Sequence, residues 1–425
     1  MVTLSQRTPI FSYYADDFTG STDALEALAS NGVPAVLFLR TPEPEDLHAF
    51  SGCLAIGIAG DSRSRSPEWM RAALPAVFER LREIGAPIVQ YKVCSTFDSS
   101  PGTGSIGCAL EIGQDVFGVP NVPVVAAAPY LQRYVVFGNL FAAGEGAIHR
   151  IDRHPTMKQH PVTPMFESDL LVHLGRQTAR KLALVNILAL RSSLFAFAAE
   201  ADGVLCDGIE PADLEQTARL IWEHRHAPQT FVVGSSGFTY GILDYWRSQG
   251  WLPEAGFCPS AQPVDRILVL AGSCSHATER QICRALREGF HGIRLNPLLA
   301  GSGGHDEGVE AEALEQLAAG RSVILYSALG PDDQVEIADR AAFAASMGRM
   351  LRRLIEVSGV RRVAIAGGDT ASHAVRELDI PALTFAAPLA PGAPLCRAHG
   401  GPYELELALK GGQVGSERFF EEVLS

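Results

Sequence analysis

Two adjacent aspartates, Asp16 and Asp17, stand between an apolar run at residues 9–14 and an apolar-periodic segment that begins at Thr22. This order predicts a strand, a tight acidic turn and a helix. Open α/β sheets bind their ligands at the carboxyl ends of strands, which is where the pair falls. One aspartate could simply cap the helix, but the pair in a turn rich in Gly, Ser and Thr favours a polar ligand site.

A second polar segment follows the apolar run at residues 88–93. Strand alternation places Lys92 and Cys94 on one face. Four polar side chains crowd the end of this strand, namely Ser95, Thr96, Asp98 and Ser99. An ammonium among hydroxyls and a carboxylate can bind a polyhydroxylated acid, although a capping turn with a solvent-facing lysine remains an alternative.

Two arginines, Arg63 and Arg65, follow the strand predicted at residues 54–58. A guanidinium at a strand end can hold a carboxylate in bidentate geometry. Surface arginines without a ligand are the alternative.

Small-residue turns follow two predicted strands in the second half of the chain, at residues 271–276 and 366–371. A third Gly-rich loop, at residues 410–415, follows the strand predicted at residues 404–409. Glycines let the backbone approach a phosphate, and the next helix supplies N–H donors and a positive dipole end. Each turn could be only a tight βα connection, but three within one domain favour a nucleotide or phosphate ligand.

Several other catalytic patterns are weak or absent in the sequence. The G-x-G-x-x-G at residues 102–107 lies too far beyond its strand for a dinucleotide fingerprint, and the sequence contains neither a Walker motif nor G-x-S-x-G. Three histidines, His149, His154 and His160, lack the helical i, i+4 pairing of a zinc protease, so we expect their loop to line a substrate cleft.

Composition bounds the class of protein. The 425 residues have a net charge of −13, 47% apolar and 20% charged residues, which predicts a globular protein whose main partner is neither nucleic acid nor an anionic membrane. The eight scattered cysteines have no zinc spacing and are expected to be reduced thiols. We expect a cytoplasmic protein, since neither a signal-peptide pattern nor an apolar run of about 20 residues is present.

Short β-branched runs alternate with amphipathic segments along the whole chain, which predicts α/β architecture with mostly parallel sheets flanked by helices. A proline-containing stretch without periodicity at residues 247–263 divides the chain into two predicted domains, 1–250 and 262–425. The predicted strands are 9–14, 35–39, 54–58, 88–93, 122–127, 181–185, 203–206, 230–233, 266–270, 292–295, 322–326, 362–365, 382–386 and 404–409. The predicted helices are 22–29, 67–83, 212–224, 277–288, 311–319 and 338–358.

The chain resembles the four-carbon acid sugar kinase family in segments that occur in the family's order. These segments are residues 15–20, 92–99 followed by 105–107, 160–165, 272–275 and 367–370. The resemblance extends over essentially the whole chain. It implies that an N-terminal domain binds a four-carbon sugar acid, that a C-terminal domain binds ATP with Mg²⁺, and that the terminal hydroxyl of the acid is phosphorylated.

The form of residues 94–99 resembles the 3-oxo-tetronate branch, so 3-oxo-tetronate is the expected substrate, with D-threonate or D-erythronate as alternatives. Two departures from the family pattern stand out. Ser105 occupies a position where Asn is usual, and the family's Pro…Gly-Arg segment retains only Pro129 and Arg133. The rival functions are a non-catalytic sugar-acid sensor and a nicotinamide-dependent dehydrogenase.

The motifs and the resemblance together assign roles to individual residues. Asp17 is predicted to be the base that orients the acceptor hydroxyl, with Asp98 as the second candidate. The predicted acid-binding residues are Asp16, Arg63, Lys92, Ser95, Thr96, Arg133 and His160. The predicted ATP-binding residues are Ser273, Ser275, Gly367, Gly368, Asp369, Thr370, Gly412 and Gly415. Domain closure is expected to exclude water; metal ligands and oligomeric state stay open, with a homo-oligomer as one alternative.

Overall fold

The computed structural model describes residues 8–144, 146–159, 163–192, 200–225, 228–253, 259–297, 306–333, 335, 337 and 339–425. The chain divides into two compact units, the first formed by residues 1–35 and 41–256 and the second by residues 36–40 and 257–425. Each unit contains a mostly parallel sheet and helices that connect its strands, which confirms the predicted α/β class.

The elements are numbered here in chain order. The strands are β1 (Phe11–Ala15), β2 (Ala35–Phe38), β3 (Ala55–Ala59), β4 (Ile88–Lys92), β5 (Val122–Val125), β6 (Arg133–Val136), β7 (Asn139–Gly144), β8 (Ala147–Arg150), β9 (Leu182–Val185), β10 (Gly203–Cys206), β11 (Thr230–Gly234), β12 (Leu268–Ala271), β13 (His291–Arg294), β14 (Val323–Tyr326), β15 (Arg362–Ala366), β16 (Ala382–Ala390), β17 (Ala393–His399) and β18 (Glu406–Lys410).

The helices lie between these strands. They are α1 (Phe18–Ser30), α2 (Pro44–Ala49), α3 (Pro67–Ile84), α4 (Ile106–Phe117), α5 (Leu170–Gly175), α6 (Ile187–Arg191), α7 (Pro211–Glu223), α8 (Ser236–Ser248), α9 (His276–Arg287), α10 (Glu307–Ala318), α11 (Arg340–Ser358), α12 (Gly368–Ala374) and α13 (Phe419–Leu424). None of the helices in the described part of the chain combines the length and the apolar character needed to cross a bilayer.

The main sheet of the first unit is parallel throughout its described strands, in the order β3-β1-β4-β11-β5-β10-β9. All five residues of β1 are buried, as expected for a parallel strand that is covered on both faces. Ala15, the last residue of β1, pairs with Ala59 of β3 and with Lys92 of β4. The polar residues that follow these three strands therefore meet at one edge of the sheet.

Helix α3 illustrates how the sequence signals define an element. The Ser66 side chain accepts a hydrogen bond from the N–H of Trp69 at the N-cap, and Pro67 occupies the first helical position. The helix ends at Gly85, whose φ of 78° is a left-handed conformation that glycine adopts without strain. These signals explain why the prediction of a helix at 67–83 agrees closely with the structure.

A small antiparallel sheet of the first unit, β6-β7-β8, has no counterpart among the predicted strands. Its strands are four to six residues long, and β8 is half-buried or exposed throughout. Short strands that do not contribute to the main core lack the continuous apolar pattern on which the prediction depends.

The sheet of the second unit has the order β13-β14-β12-β15-β18-β17-β16-β2. Its first five strands are parallel, whereas β18-β17, β17-β16 and β16-β2 are antiparallel. The segment 36–40 belongs to this unit because Leu37 and Phe38 of β2 pair with Leu383 and Ala382 of β16. Parallel β12, β15 and β18 end side by side, which places the three Gly-containing loops at one edge.

Candidate active-site clusters

The first cluster begins where β1 ends. The N–H of Asp16 donates to the carbonyl of Lys92 (2.9 Å), and the carbonyl of Asp16 accepts the N–H of Arg63 (3.0 Å). Asp17 caps α1, because its Oδ1 accepts the N–H of Gly20 (2.8 Å) and its Oδ2 accepts the hydroxyl of Thr19 (2.6 Å). The capping alternative therefore holds for Asp17, but it describes only part of its surroundings.

Arg63 joins the two aspartates. Its Nε and Nη2 donate to both carboxylate oxygens of Asp16 at 3.1 and 2.7 Å, and Nη2 also lies 3.0 Å from Asp17 Oδ1. The guanidinium predicted to hold the acid thus already holds two protein carboxylates. Burial raises the pKa of Asp16 to about 6, although Arg63 acts in the opposite direction.

Lys92 is buried beside this pair. Its side chain is 3% exposed, and Nζ lies 3.2 Å from Asp23 Oδ2, so the alternative of a solvent-facing lysine is wrong. Burial lowers the pKa of Lys92, but the carboxylates of Asp23 and then Asp17 outweigh it and leave the pKa above its usual value. The ammonium is therefore charged, and it lies at the carboxyl edge of the sheet.

The turn after β4 positions Asp98. Its two carboxylate oxygens accept hydrogen bonds from the hydroxyls of Thr96 (2.6 Å) and Thr163 (3.0 Å). Phe97, between Thr96 and Asp98, has a φ of 56°, a conformation that costs about 1–3 kcal/mol for such a residue and is common at functional sites. Ser95 and Thr96 are each 7% exposed, so both lie within the cluster rather than at the surface.

The guanidinium of Arg133, at the start of β6, has a buried N–H group that makes no hydrogen bond to the described residues. Its Nη1 donates to the carbonyl of Leu131 (2.7 Å), whereas its buried Nε has no hydrogen-bond partner among the described residues. Burial lowers the pKa of Arg133, and the nearby Cys94 thiol opposes this effect. An unpaired guanidinium N–H close to the end of β4 is suited to an anionic ligand. His160, the remaining predicted acid-binding residue, lies outside the described residues.

A buried network that the sequence did not predict supports the Asp98 turn. The Ser99 hydroxyl lies 2.8 Å from Nε2 of His173 and accepts a hydrogen bond from Gln177 Nε2 at 2.9 Å. Burial lowers the pKa of His173 to about 4, so the ring is neutral. No spacing in the sequence connects residue 99 with α5, and only the tertiary fold brings them together.

The second cluster, in the second unit, is formed by the loops after β12, β15 and β18. The Ser275 hydroxyl caps α9 through the N–H of Thr278 (3.2 Å) and donates to the carbonyl of Gly412. The hydroxyl of Thr278 donates to the same carbonyl at 2.9 Å. The start of α9 and the loop after β18 are thereby joined, as the predicted nucleotide site requires.

Gly367 joins the third loop to the other two. Its N–H donates to the carbonyl of Lys410 (2.9 Å), and its φ is 124°, a conformation that residues with a side chain rarely adopt. A Cβ at this position would lie 3.2 Å from both the Ser273 nitrogen and the Thr370 hydroxyl. The structure thus brings Ser273, Ser275, Gly367, Thr370 and Gly412 together.

The remaining predicted nucleotide residues are Gly368, Asp369 and Gly415. Gly368 is the first residue of α12 and Asp369 follows it in the first turn. Gly415 is farther along the loop, where its carbonyl accepts Gln281 Nε2 (3.2 Å) and a Cβ would approach the Phe419 ring to 2.6 Å. Gly415 therefore packs against α9 and α13.

Lys410 is a buried member of this cluster that the predicted site omits. It is 0% exposed, and its Nζ donates to the Thr278 hydroxyl (3.0 Å) and to the Gly412 carbonyl (3.4 Å). Burial lowers the pKa of Lys410 to about 7. The signal available in the sequence was a lysine that ends an apolar strand, immediately before the Gly-Gly turn.

Comparison with known families matches one family model to each of two successive parts of the chain. A family model described as a sugar-binding N-terminal domain matches residues 11–242, and one described as a nucleotide-binding C-terminal domain matches residues 268–420. The first model contains the cluster around Asp16 and Lys92, and the second contains all three loops of the second cluster.

Two relatives and one solved structure resemble the whole chain. A Paraburkholderia graminis protein named 3-oxo-isoapionate kinase is 44% identical over 97% of this chain and 93% of its own length. A Cupriavidus necator protein named 3-oxo-tetronate kinase is 30% identical, over 99% of this chain and 98% of its own. The crystal structure of a Haemophilus influenzae protein is 25% identical, covers 97% of this chain and 98% of its own, and superposes with a TM-score of 0.72.

Proposed function

The chain belongs to the four-carbon acid sugar kinase family, and on this premise we propose that it transfers the terminal phosphoryl group of ATP to a hydroxyl of a 3-oxo sugar acid. The observation that supports this most strongly is the presence of two separate clusters, each in the unit that matches the corresponding family model. One combines carboxylates with buried cations, and the other joins three Gly-containing loops at a helix N-terminus.

The first cluster supplies an acceptor site. Phosphoryl transfer depends on positioning and on an oriented acceptor hydroxyl. Asp17 is the better candidate for the orienting base, because its side chain is 19% exposed whereas that of Asp16 is 4% exposed. Arg63 then has a positioning role, since it fixes both aspartates, and Lys92 with Arg133 supplies positive charge for the acid carboxylate.

The second cluster supplies a nucleotide site. The N-terminus of α9 offers backbone N–H groups and the positive end of the helix dipole to phosphate. Gly367 and Gly412 let the backbone approach the ligand, because neither has a Cβ in the space between the loops. We assign the triphosphate to this space.

Magnesium is expected to bind with the nucleotide. The described residues contain no group of three or more His, Cys, Asp or Glu side chains that could hold a metal ion. Mg²⁺ in phosphoryl-transfer enzymes uses one or two carboxylates together with substrate phosphates, so a preformed protein cage is not required. An ion bound with the nucleotide would neutralise phosphate charge.

The proposed substrate follows from the sequence identities of the two relatives. The 44% identity to a 3-oxo-isoapionate kinase exceeds the 30% identity to a 3-oxo-tetronate kinase, so we place 3-oxo-isoapionate first and the predicted 3-oxo-tetronate second. D-Threonate and D-erythronate follow as alternatives. All retain a carboxylate and a hydroxyl that the first cluster can bind.

A coupled assay of ADP release over this panel of acids tests the proposal. We expect acid-dependent ADP formation, with kcat/KM for 3-oxo-isoapionate at least about tenfold above that for 3-oxo-tetronate, a difference of about 1.4 kcal/mol in transition-state binding. Acid binding without ADP release from any member would support the sensor alternative instead. If the order of the two kcat/KM values were reversed, the kinase activity would stand and 3-oxo-tetronate would become the first candidate substrate.

Replacing Arg133 by glutamine should raise KM for the acid by about ten- to a hundredfold with little change in kcat. The reason is that a charge-assisted hydrogen bond contributes about 1.5–3 kcal/mol and is made equally in the ground state and the transition state. Arg153→Gln is the matched control, because the Arg153 side chain is 73% exposed. An unchanged KM in Arg133→Gln would remove Arg133 from the acid site.

A further inference from the structure

Lys410 is the point at which all three loops of the second cluster meet. Its backbone carbonyl accepts the N–H of Gly367, which fixes the loop after β15. Its Nζ donates to the Thr278 hydroxyl in the first turn of α9 and to the Gly412 carbonyl of its own loop. One residue therefore holds the three segments to which the nucleotide is assigned.

The charge of Lys410 has no counter-ion among the described side chains. Its acceptors among the described residues are a hydroxyl and a carbonyl, and Nζ also lies 5.8 Å from the centroid of the Phe419 ring. Burying an ammonium without a carboxylate is unfavourable, and natural proteins rarely do so unless an anion binds nearby.

Several charged side chains on the neighbouring elements form ion pairs with one another. On α9, His276 pairs with Glu279 (3.2 Å). At the start of α13, Arg418 pairs with Glu421 (3.2 Å). At the far end of β15 and β18, Arg362 pairs with Glu406 (2.8 Å). None of these groups offsets the Lys410 ammonium.

We propose that Lys410 is a positioning residue for the nucleotide phosphates: its ammonium joins the start of α9 to the loop after β18, its backbone carbonyl holds the loop after β15, and its buried positive charge is available to pair with an anionic phosphate. This inference rests on the proposed function. The inference also predicts the ligand selectivity of the second cluster, because an uncompensated cation favours the anions ADP and ATP over the neutral nucleoside adenosine.

The pKa of Lys410 gives the proposal a direct readout. With a pKa of about 7, the unliganded side chain is mostly neutral at pH 8. A bound phosphate favours the ammonium and raises this pKa, so ADP binding should take up close to one proton at pH 8 and much less at pH 6. Phosphate oxygens with a second pKa near 6 are already ionised at pH 8, so the ligand itself contributes little.

Calorimetry of the full-length protein with ADP and with adenosine, in buffers of different ionisation enthalpy and without magnesium, tests this. We expect Lys410→Met to weaken ADP binding by about ten- to a hundredfold, to change adenosine binding by less than about threefold, and to abolish proton uptake at pH 8. Lys181→Met is the control, because Lys181 is 64% exposed and remote from both clusters in sequence. It should retain ADP affinity and proton uptake.

The outcomes separate this proposal from the proposed function. If the wild-type protein binds no ADP, the proposed function fails. If the wild type binds ADP but takes up no proton at pH 8, or if Lys410→Met binds ADP as tightly, only the role of Lys410 is overturned. Equal losses for ADP and adenosine would indicate a structural role alone. Should Lys410→Met not fold, wild-type proton uptake still decides, because it needs no variant.

Discussion

Replacing Asp17 by asparagine should reduce kcat by about a hundred- to ten-thousandfold while the acid still binds, since loss of a general base commonly has this effect. The fold should tolerate the change. Asparagine is as good an N-cap as aspartate, so the hydrogen bond from the Gly20 N–H can persist. Arg63 also keeps its bidentate pairing with Asp16. Steady-state kinetics with the best acid of the panel measure the split between kcat and KM.

Asp115→Asn and Asp98→Asn complete this experiment. The Asp115 side chain is 67% exposed and pairs with Arg180 on the surface, so its variant should behave like wild type. If Asp17→Asn kept near-normal turnover and Asp98→Asn did not, the base would be Asp98 and Asp17 would be only the cap of α1. Loss of turnover in both would indicate that the Asp98 turn positions the acceptor.

The sequence predicted the elements whose signals are local and continuous. The apolar run before Asp16 and the periodic segment after it form β1 and α1, because buried parallel strands and helices that face a core have a recognisable period. The same signals do not exist for β17 or for the small β6-β7-β8 sheet. β6, β7 and β8 pair with their neighbours in sequence, but most of their residues are half-buried or exposed, and the last three residues of β17 are half-buried or exposed as well.

The segment at residues 102–107 shows how a functional pattern can match in spacing alone. Residues 102–107 match a dinucleotide fingerprint in spacing, but in the structure Ser105 caps α4 through the N–H of Cys108 (3.1 Å). The Gly107 N–H is held by Gln177 Oε1 at 3.2 Å, so this helix start is occupied by a side chain. A helix start that is already occupied by a side chain argues against the dehydrogenase alternative.

The candidate sites were predictable in composition but not in their internal pairing. Arg63 was expected to contact the ligand, yet it lies against Asp16 and Asp17, because buried carboxylates require a cation nearby. Its role as an acid-binding residue stays a prediction. Lys410 was overlooked for the opposite reason. A lysine at a strand end is usually solvated, and only the packing of β18 under α9 and α13 shows that it is buried.

Replacing Gly367 by alanine should weaken ADP binding by at least about a hundredfold, since moving this turn would break hydrogen bonds to charged phosphate that contribute about 1.5–3 kcal/mol each. The backbone at φ 124° is strained for alanine, and the new Cβ would lie 3.2 Å from the Ser273 nitrogen and from the Thr370 hydroxyl. Either the loop after β12 or the turn before α12 must move. Calorimetry with ADP measures the loss.

Gly359→Ala separates this local effect from general strain. Gly359 ends α11 with a φ of 64°, and a Cβ there would meet nothing within 4 Å. Its alanine variant should lower the melting temperature, because alanine is unfavourable at positive φ, but should bind ADP as wild type does. The Gly367→Ala protein should still bind the acid, since the residues assigned to the acid lie in the first unit. If Gly367→Ala retained wild-type ADP affinity while folded, the turn before α12 would not contact the phosphates, and the nucleotide would have to be assigned to the α9 and β18 loops alone.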